Sequence, residues 1–264
     1  FKVIMANRLG IIGGGQLGMM ITEAAKNLSE HISEITVLDP TENCPAAQVG
    51  AKQIVGDFKD ELAILKLAEQ SDIITYEIES GNTDVLSKLK AKIEPSPSTL
   101  GIIQDKFLQK TFLSENELPV SQFYEITSLN DLREKIKELG LPVLLKSRRD
   151  AYDGRGNFKI TSSDEIEKAY QHFDGKILMV EKFVNFKMEV SVIAARNTKG
   201  DIVTYPLVEN IHENNILKMT IAPARTSDDL ISNAGGIAKK TMKVLKGAGV
   251  FGIEMFIDQD DKIL

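Results

Sequence analysis

Between Leu144 and Asn157 the chain sets Lys146, Arg148, Arg149 and Arg155 beside Gly154 and Gly156, with Tyr152 and Asp153 among them. Val143–Lys146 reads as a strand and the rest as a loop. Cations and glycines on a hinge after a strand suit closure over nucleotide phosphates. Glycine allows the backbone to approach closely. Arginine meets phosphate as a fork and lysine as a point charge. Tyr152 and Asp153 are surplus to a simple phosphate clamp.

A second site of this kind lies near the start. Gly13-Gly-Gly-Gln-Leu-Gly18 fits G-x-G-x-x-G between a strand and a helix, and Asp39 ends the next strand. That is the dinucleotide fingerprint with its acidic ribose partner. The physics is broader than one cofactor, because a glycine turn at a helix N-terminus offers amides to any phosphate. A tight turn without ligand fits as well.

Further candidates are spread along the chain. Lys106 opens a helix, Glu181-Lys182-Phe183-Val184 follows a strand, and Glu189, His212 and Glu254 lie in apolar β-like runs. Each has a plainer reading: Lys106 as a solvated helix lysine, His212 as a turn residue, Glu189 as a rim carboxylate. Glu254 could be the water-facing residue of an alternating strand. Order and spacing of the set carry more than any member.

The elements that must position these residues alternate. Strands are expected at 8–13, 35–38, 52–55 and 72–76, with helices at 16–28 and 60–70. This implies a parallel sheet with helices on both faces. The expected helix 16–28 carries Leu17, Met20, Ile21, Ala24, Ala25 and Leu28 at helical spacing. Pro95-Ser-Pro-Ser98 reads as a boundary. Beyond it come a helix at 105–117, a strand at 121–125, a helix at 128–139 and strands at 141–146, 158–160 and 176–181, with a helix at 163–172. From about residue 183 the β-like runs 188–195, 202–209 and 216–222 suggest an antiparallel sheet, followed by a helix at 228–246 and a strand at 249–257. The expected domains are 1–97, a Rossmann-like unit, then 98–182 and 183–264.

The chain has 264 residues and a formal charge of 32 minus 38, or −6. The acidic balance argues against a nucleic-acid coat or a polybasic membrane patch. One cysteine, Cys44, cannot form an internal disulfide, which suits a reducing, cytoplasmic setting. No apolar run approaches the roughly 20 residues that span a bilayer, and the first residues lack a secretory cleavage pattern. The start at Phe1 leaves room for residues upstream.

Taken together, certain segments occur in a telling order. They are Gly-Gly-Gly-Gln-Leu-Gly at 13–18, Ile-Gln-Asp-Lys at 103–106, Leu-Lys-Ser-Arg at 145–148 and Ala-Tyr-Asp-Gly-Arg-Gly-Asn at 151–157. Glu-Val-Ser-Val at 189–192, Tyr-Pro-Leu-Val-Glu-Asn-Ile-His at 205–212, Ala-Pro-Ala-Arg at 222–225 and Gly-Ile-Glu-Met-Phe at 252–256 follow. Through essentially its whole length the chain resembles the 5-(carboxyamino)imidazole ribonucleotide synthases, ATP-grasp ligases of purine biosynthesis.

The resemblance implies a Rossmann-like domain followed by an ATP-grasp fold whose two subdomains clamp ATP. It implies that ATP, bicarbonate and 5-aminoimidazole ribonucleotide give the N-carboxylated ribonucleotide, ADP and phosphate through carboxyphosphate. It assigns Lys106 and Lys146 to ATP phosphates, with the loop Ala151, Tyr152, Asp153, Gly154, Arg155, Gly156 and Asn157 over them. The backbone of Glu181, Lys182, Phe183 and Val184 would take adenine and Glu189 the ribose, with His212 near the phosphates. Glu254 would ligate Mg2+. Tyr152, Asp153 and Arg155 would face bicarbonate and the ribonucleotide, Asp153 as proton acceptor. Gly15, Gln16 and Leu17 would hold the ribonucleotide phosphate. Relatives are typically homodimers.

The pattern departs at three places. In the family an Asn-Glu pair for the second metal position, an Arg- and His-containing segment and a small domain follow the point corresponding to Leu264, so this chain is expected to be part of a longer protein. The segment 28–35 is longer than usual, and Arg149-Asp150 puts charges where small or apolar residues are common. Other readings are another purine-pathway ATP-grasp ligase, an NAD(P)-dependent oxidoreductase, which residues 8–39 alone favour, and a non-catalytic binding module.

Overall fold

The computed structural model describes residues 6–149, 156–213 and 216–264. The chain divides into two compact units, one of residues up to Gly101 with Lys246–Ala248, the other of Ile102–Leu245 with Gly249–Leu264.

The first unit runs β1 (Asn7–Ile12), α1 (Gln16–Lys26), β2 (Ile32–Asp39), α2 (Pro45–Gln48), β3 (Lys52–Val55), α3 (Glu61–Glu69), β4 (Ile73–Tyr76), α4 (Thr83–Leu86) and β5 (Lys92–Ile93). Its sheet has the order β3-β2-β1-β4-β5, and every pairing is parallel. Alternation decides which layer each strand residue joins. Ile12 and Leu38 pack with Ile64 and Leu67 of α3, while Ile11 and Val37 pack with Ala25 of α1. The parallel sheet with two covered faces is as the sequence implied.

Of the apolar residues that mark α1, Ala25 and Ile21 pack into the core and others do not. Gly18, Thr22 and Ala25 are buried, whereas Leu17 is 55% and Met20 52% exposed. A Cβ on Gly18 would lie 2.5 Å from the Gly13 carbonyl oxygen. At that point the helix admits only glycine, while Ile21 packs against the core beside Ala25 and Leu17 and Met20 turn outward.

α5 (Pro97–Ile103) spans the division of the two units. The second unit continues with α6 (Lys106–Glu115), β6 (Phe123–Ile126), α7 (Leu129–Leu139), β7 (Val143–Ser147), β8 (Asn157–Ile160), a single 3-10 turn (Ser163–Glu165), α8 (Ile166–His172) and β9 (Leu178–Lys182). These strands form an antiparallel sheet in the order β6-β9-β7-β8. Val143, Leu145, Leu178 and Val180 face a core built with Leu132 and Ile136 of α7 and Ile166 of α8. By alternation Leu144, Lys146, Met179 and Glu181 point to the opposite face.

The remaining elements are β10 (Phe186–Arg196), β11 (Ile202–Thr204), β12 (Val208–Glu213), β13 (Ile216–Ile221), α9 (Asp228–Val244) and β14 (Gly249–Asp258). β14 pairs with β10 along its whole length, so β11 and β12 take β10's other edge in succession. The single strand expected over 202–209 is therefore two. Pro206, which has no amide hydrogen to give to a ladder, lies in the break. Val190, Val192, Met255 and Ile257 pack under Leu230, Ala234 and Ala238 of α9. Ser227 caps the start of α9, accepting from the Leu230 amide. The Arg196 guanidinium donates to the carbonyls of Met242 and Leu245, satisfying the orphan acceptors that end the helix short of the expected residue 246.

Candidate active site

The sequence candidates of the second unit gather on two sheet faces that point away from their cores. On the first, Lys146 of β7 reaches Glu181 of β9 and their charges pair. Lys110 of α6 meets the other oxygen of Glu181 at 2.8 Å. Ser121 links the two, accepting from Lys110 at 2.9 Å and donating to Glu181 at 3.3 Å. Glu181 is buried. Burial pushes its carboxyl up, but the Lys146 and Lys110 charges outweigh that and hold it below the ordinary range. Lys110 had drawn no attention in the sequence; its spacing of four from Lys106 on one helix face was the available signal.

Lys106 is tied to the same region through its backbone, donating its amide to the Arg148 carbonyl at 2.9 Å. Asn157 pairs directly with Lys146 across β7 and β8, and the Gly156 carbonyl accepts from the Ser147 amide at 3.0 Å. The structure thus brings Lys146, Gly156, Asn157 and the backbone of Lys106 together at the end of β7, and Lys146 reaches Glu181 along the same sheet face. Ala151, Tyr152, Asp153, Gly154 and Arg155 lie outside the described residues.

Arg148, one of the cations of the expected phosphate loop, is paired with carboxylates. Its guanidinium meets Asp105 at 2.7, 2.9 and 3.2 Å, pairs with Glu125, and lies 4.9 Å from the Phe107 ring centroid. Arg149 adds a contact to Asp105 at 3.1 Å. Asp105 also caps α6, accepting from the Phe107 and Leu108 amides. Burial raises the Asp105 carboxyl, yet the two arginines and the Leu108 amide bring it below the usual range.

At the end of β9 the amide of Lys182 donates to the Gln122 carbonyl, and just beyond it that of Phe183 to the Pro142 carbonyl. The Lys182 ammonium turns to the Gly140 carbonyl at 2.8 Å. The Phe183 ring is covered by Lys159, whose ammonium is 3.6 Å from the centroid. Val184 follows outside any strand.

The second face belongs to β10, β12 and β14. The side chains of Glu189 and His212 pair, the histidine presenting Nδ1. Ser191 sits directly across from Glu254, and Glu189 from Phe256 and Asn210. Asn210 donates to Ser191 at 2.9 Å and accepts from Thr220 at 3.1 Å. Glu254 is exposed. Glu189, His212 and Glu254 thus share a polar face, with Ser191, Asn210 and Thr220 as members that sequence reasoning missed. Period-two spacing from Glu189 and His212 would have found Ser191 and Asn210. Glu209 points to the other face and is held bidentately by Arg225 at 2.7 and 2.8 Å.

In the first unit Gly15 immediately precedes α1 and caps it without a side chain. Its amide donates to Glu77 at 3.0 Å, and the Gly14 amide to Asp39 at 2.8 Å. Asp39, the ribose partner of the dinucleotide reading, is buried and turned into the glycine turn instead. Burial raises the Glu77 carboxyl; the Gly15 amide works against that rise and the Asp39 charge adds to it. Gln16 and Leu17 stand exposed at the start of α1.

Sequence and fold are both shared with known proteins. The ribonucleotide synthetase preATP-grasp domain model matches residues 5–104 and the ATP-grasp domain model residues 111–264. An N5-carboxyaminoimidazole ribonucleotide synthase of Brucella melitensis is 37% identical over 97% of this chain and 71% of its own length. The chain belongs to this ATP-grasp family. The crystal structure of the Aspergillus clavatus N5-carboxyaminoimidazole synthase with ADP and 5-aminoimidazole ribonucleotide superposes with a TM-score of 0.91. It is 37% identical, and the match covers 98% of this chain and 68% of that one. The phosphoribosylaminoimidazole carboxylase of Candida albicans is 40% identical over 97% of this chain but 46% of its own length. The chain spans about half the length of such curated relatives. The ATP-grasp match takes in Lys146 and Glu181 of the first face and Glu189, His212 and Glu254 of the second.

Proposed function

We propose that the chain binds ATP and catalyses, or forms the nucleotide-binding part of a protein that catalyses, carboxylation of 5-aminoimidazole ribonucleotide with bicarbonate. A bicarbonate oxygen attacks the γ-phosphorus, ADP leaves, and carboxyphosphate forms. The exocyclic amine then attacks the carboxyl carbon, phosphate leaves, and the amine gives up a proton. Such chemistry needs a triphosphate and a small anion held together away from water.

The observation that carries the reading is the meeting of Lys146, Gly156, Asn157 and the Lys106 backbone at the end of β7, with Glu181 reached by Lys146 on the same sheet face. Lys106 and Lys146 are assigned to ATP phosphates, the backbone of Glu181–Val184 to adenine, and Glu189 to the ribose with His212 beside the phosphates. The paired Glu189 and His212 side chains support the last two. The loop residues Ala151 to Arg155 keep their assigned roles, with Asp153 as proton acceptor and Tyr152 and Arg155 toward bicarbonate and the ribonucleotide. Gly15, Gln16 and Leu17 are assigned the ribonucleotide phosphate. The Gly14 and Gly15 amides already meet carboxylate oxygens, the same kind of anionic acceptor.

Glu254 is assigned to magnesium. Among the described residues no group of three or more His, Cys, Asp or Glu could hold a metal ion. Magnesium is commonly held by one or two carboxylates with substrate phosphates and water, and an exposed single carboxylate fits that use. When bound, the ion neutralises charge on the transferred phosphoryl group. Domains 1–97, 98–182 and 183–264, a cytoplasmic setting and a homodimer belong to the same reading. No helix among the described residues is long and apolar enough to cross a membrane.

The test is phosphate release that depends on both 5-aminoimidazole ribonucleotide and bicarbonate, with Lys146→Met abolishing ATP use. Tight NAD(P) binding without ATP binding would refute the reading.

A further inference from the structure

Glu181 is held by two ammonium groups, and the nucleotide reading needs one of them elsewhere. Lys146 pairs with Oε1 and Lys110 with Oε2. The side chains of Lys110 and Lys146 are 22% and 18% exposed, that of Glu181 only 7%. A carboxylate so buried cannot cheaply be left without a counter-ion. If Lys146 were its sole partner, turning the ammonium toward a phosphate would orphan Glu181, and nucleotide affinity would carry the penalty. Lys110 removes that penalty. Its second contact, to Ser121, fixes it in place, and Ser121 itself donates to Glu181. The cluster holds two cations against one anion, and the surplus positive charge suits an incoming phosphate.

We propose that Lys110 is a positioning residue for the nucleotide, acting through Glu181. It keeps the buried carboxylate paired so that Lys146 is released to the phosphates. The inference rests on the assignment of Lys146 to ATP phosphates.

ADP binding by calorimetry, with thermal melting of the same samples, tests it in Lys110→Met, Lys110→Arg and the double variant Lys110→Met/Glu181→Gln. Lys110→Met is expected to bind ADP at least about tenfold more weakly, about 1.4 kcal/mol. Lys110→Arg keeps the charge and is expected to bind as the parent does. The double variant should regain most of the lost affinity, because an amide needs no counter-ion. Unchanged affinity in Lys110→Met, or a double variant no tighter than Lys110→Met, overturns the proposal while leaving the nucleotide reading intact. A parent chain that binds no ADP overturns the nucleotide reading and this inference with it.

Discussion

Replacing Asp105 by asparagine removes one charge and almost no volume. Asp105 is 1% exposed, and its two oxygens take three contacts from Arg148, one from Arg149 and two from α6 amides. Asparagine caps a helix as well as aspartate does, so the cap survives and the ion pairs do not. Removing one partner of a buried pair costs about 3–5 kcal/mol. Glu125 still meets Arg148, which puts Asp105→Asn near the lower end, about 3 kcal/mol. For a unit of this size that is a fall in melting temperature of roughly 6–12 °C. Asp105→Ala loses the cap too, about 1 kcal/mol more. Calorimetry of the parent and both variants checks the values and their order. The pH dependence adds a second check. The folded carboxyl lies below its unfolded value, so its stabilisation is complete above about pH 4 and fades as pH falls through the folded value. The parent–Asp105→Asn difference should be flat from pH 8 to 5 and shrink below about 4. A loss under about 1 kcal/mol at pH 7, or a difference that persists in acid, refutes the account of Asp105 as the anchor of α6 and β7.

Glu254→Gln should leave melting within about 0.5 kcal/mol of the parent, since the side chain is exposed. Magnesium-dependent phosphate release should fall at least about tenfold, and equal rates in a magnesium titration would remove Glu254 from the metal's ligands. Gly247→Ala should destabilise the first unit by about 2 kcal/mol or more, as read by urea unfolding. Gly247 has φ +90°, and a Cβ there would lie 2.2 Å from the Ser96 amide nitrogen. Normal stability in that variant would mean the return of residues 246–248 to the first unit is misjudged.

Alternation and helical spacing were enough to read the parallel sheet of the first unit and most strands of the second, because burial on one or two faces leaves a periodic mark. Two features were not legible that way. α1 buries Gly18 where the Gly13 carbonyl lies too close for a side chain, and leaves Leu17 and Met20 exposed. The run 202–209 splits because β10 bonds first β11 and then β12 along one edge.

For the candidate site, the sequence by itself determined the residue types: the lysines at 106 and 146, the acids at 181, 189 and 254, and the glycine turn. Their chemistry follows from side-chain structure and needs no fold. Only the tertiary structure decided how the charges are shared. Arg148, a phosphate cation by its neighbours, is spent on Asp105, which is 43 residues distant along the chain. Lys110, unremarkable on its helix, holds Glu181 from 71 residues away in the numbering, 181 less 110. Charge in a folded protein pairs with whatever the sheet brings within reach, and burial then makes each pairing hard to exchange.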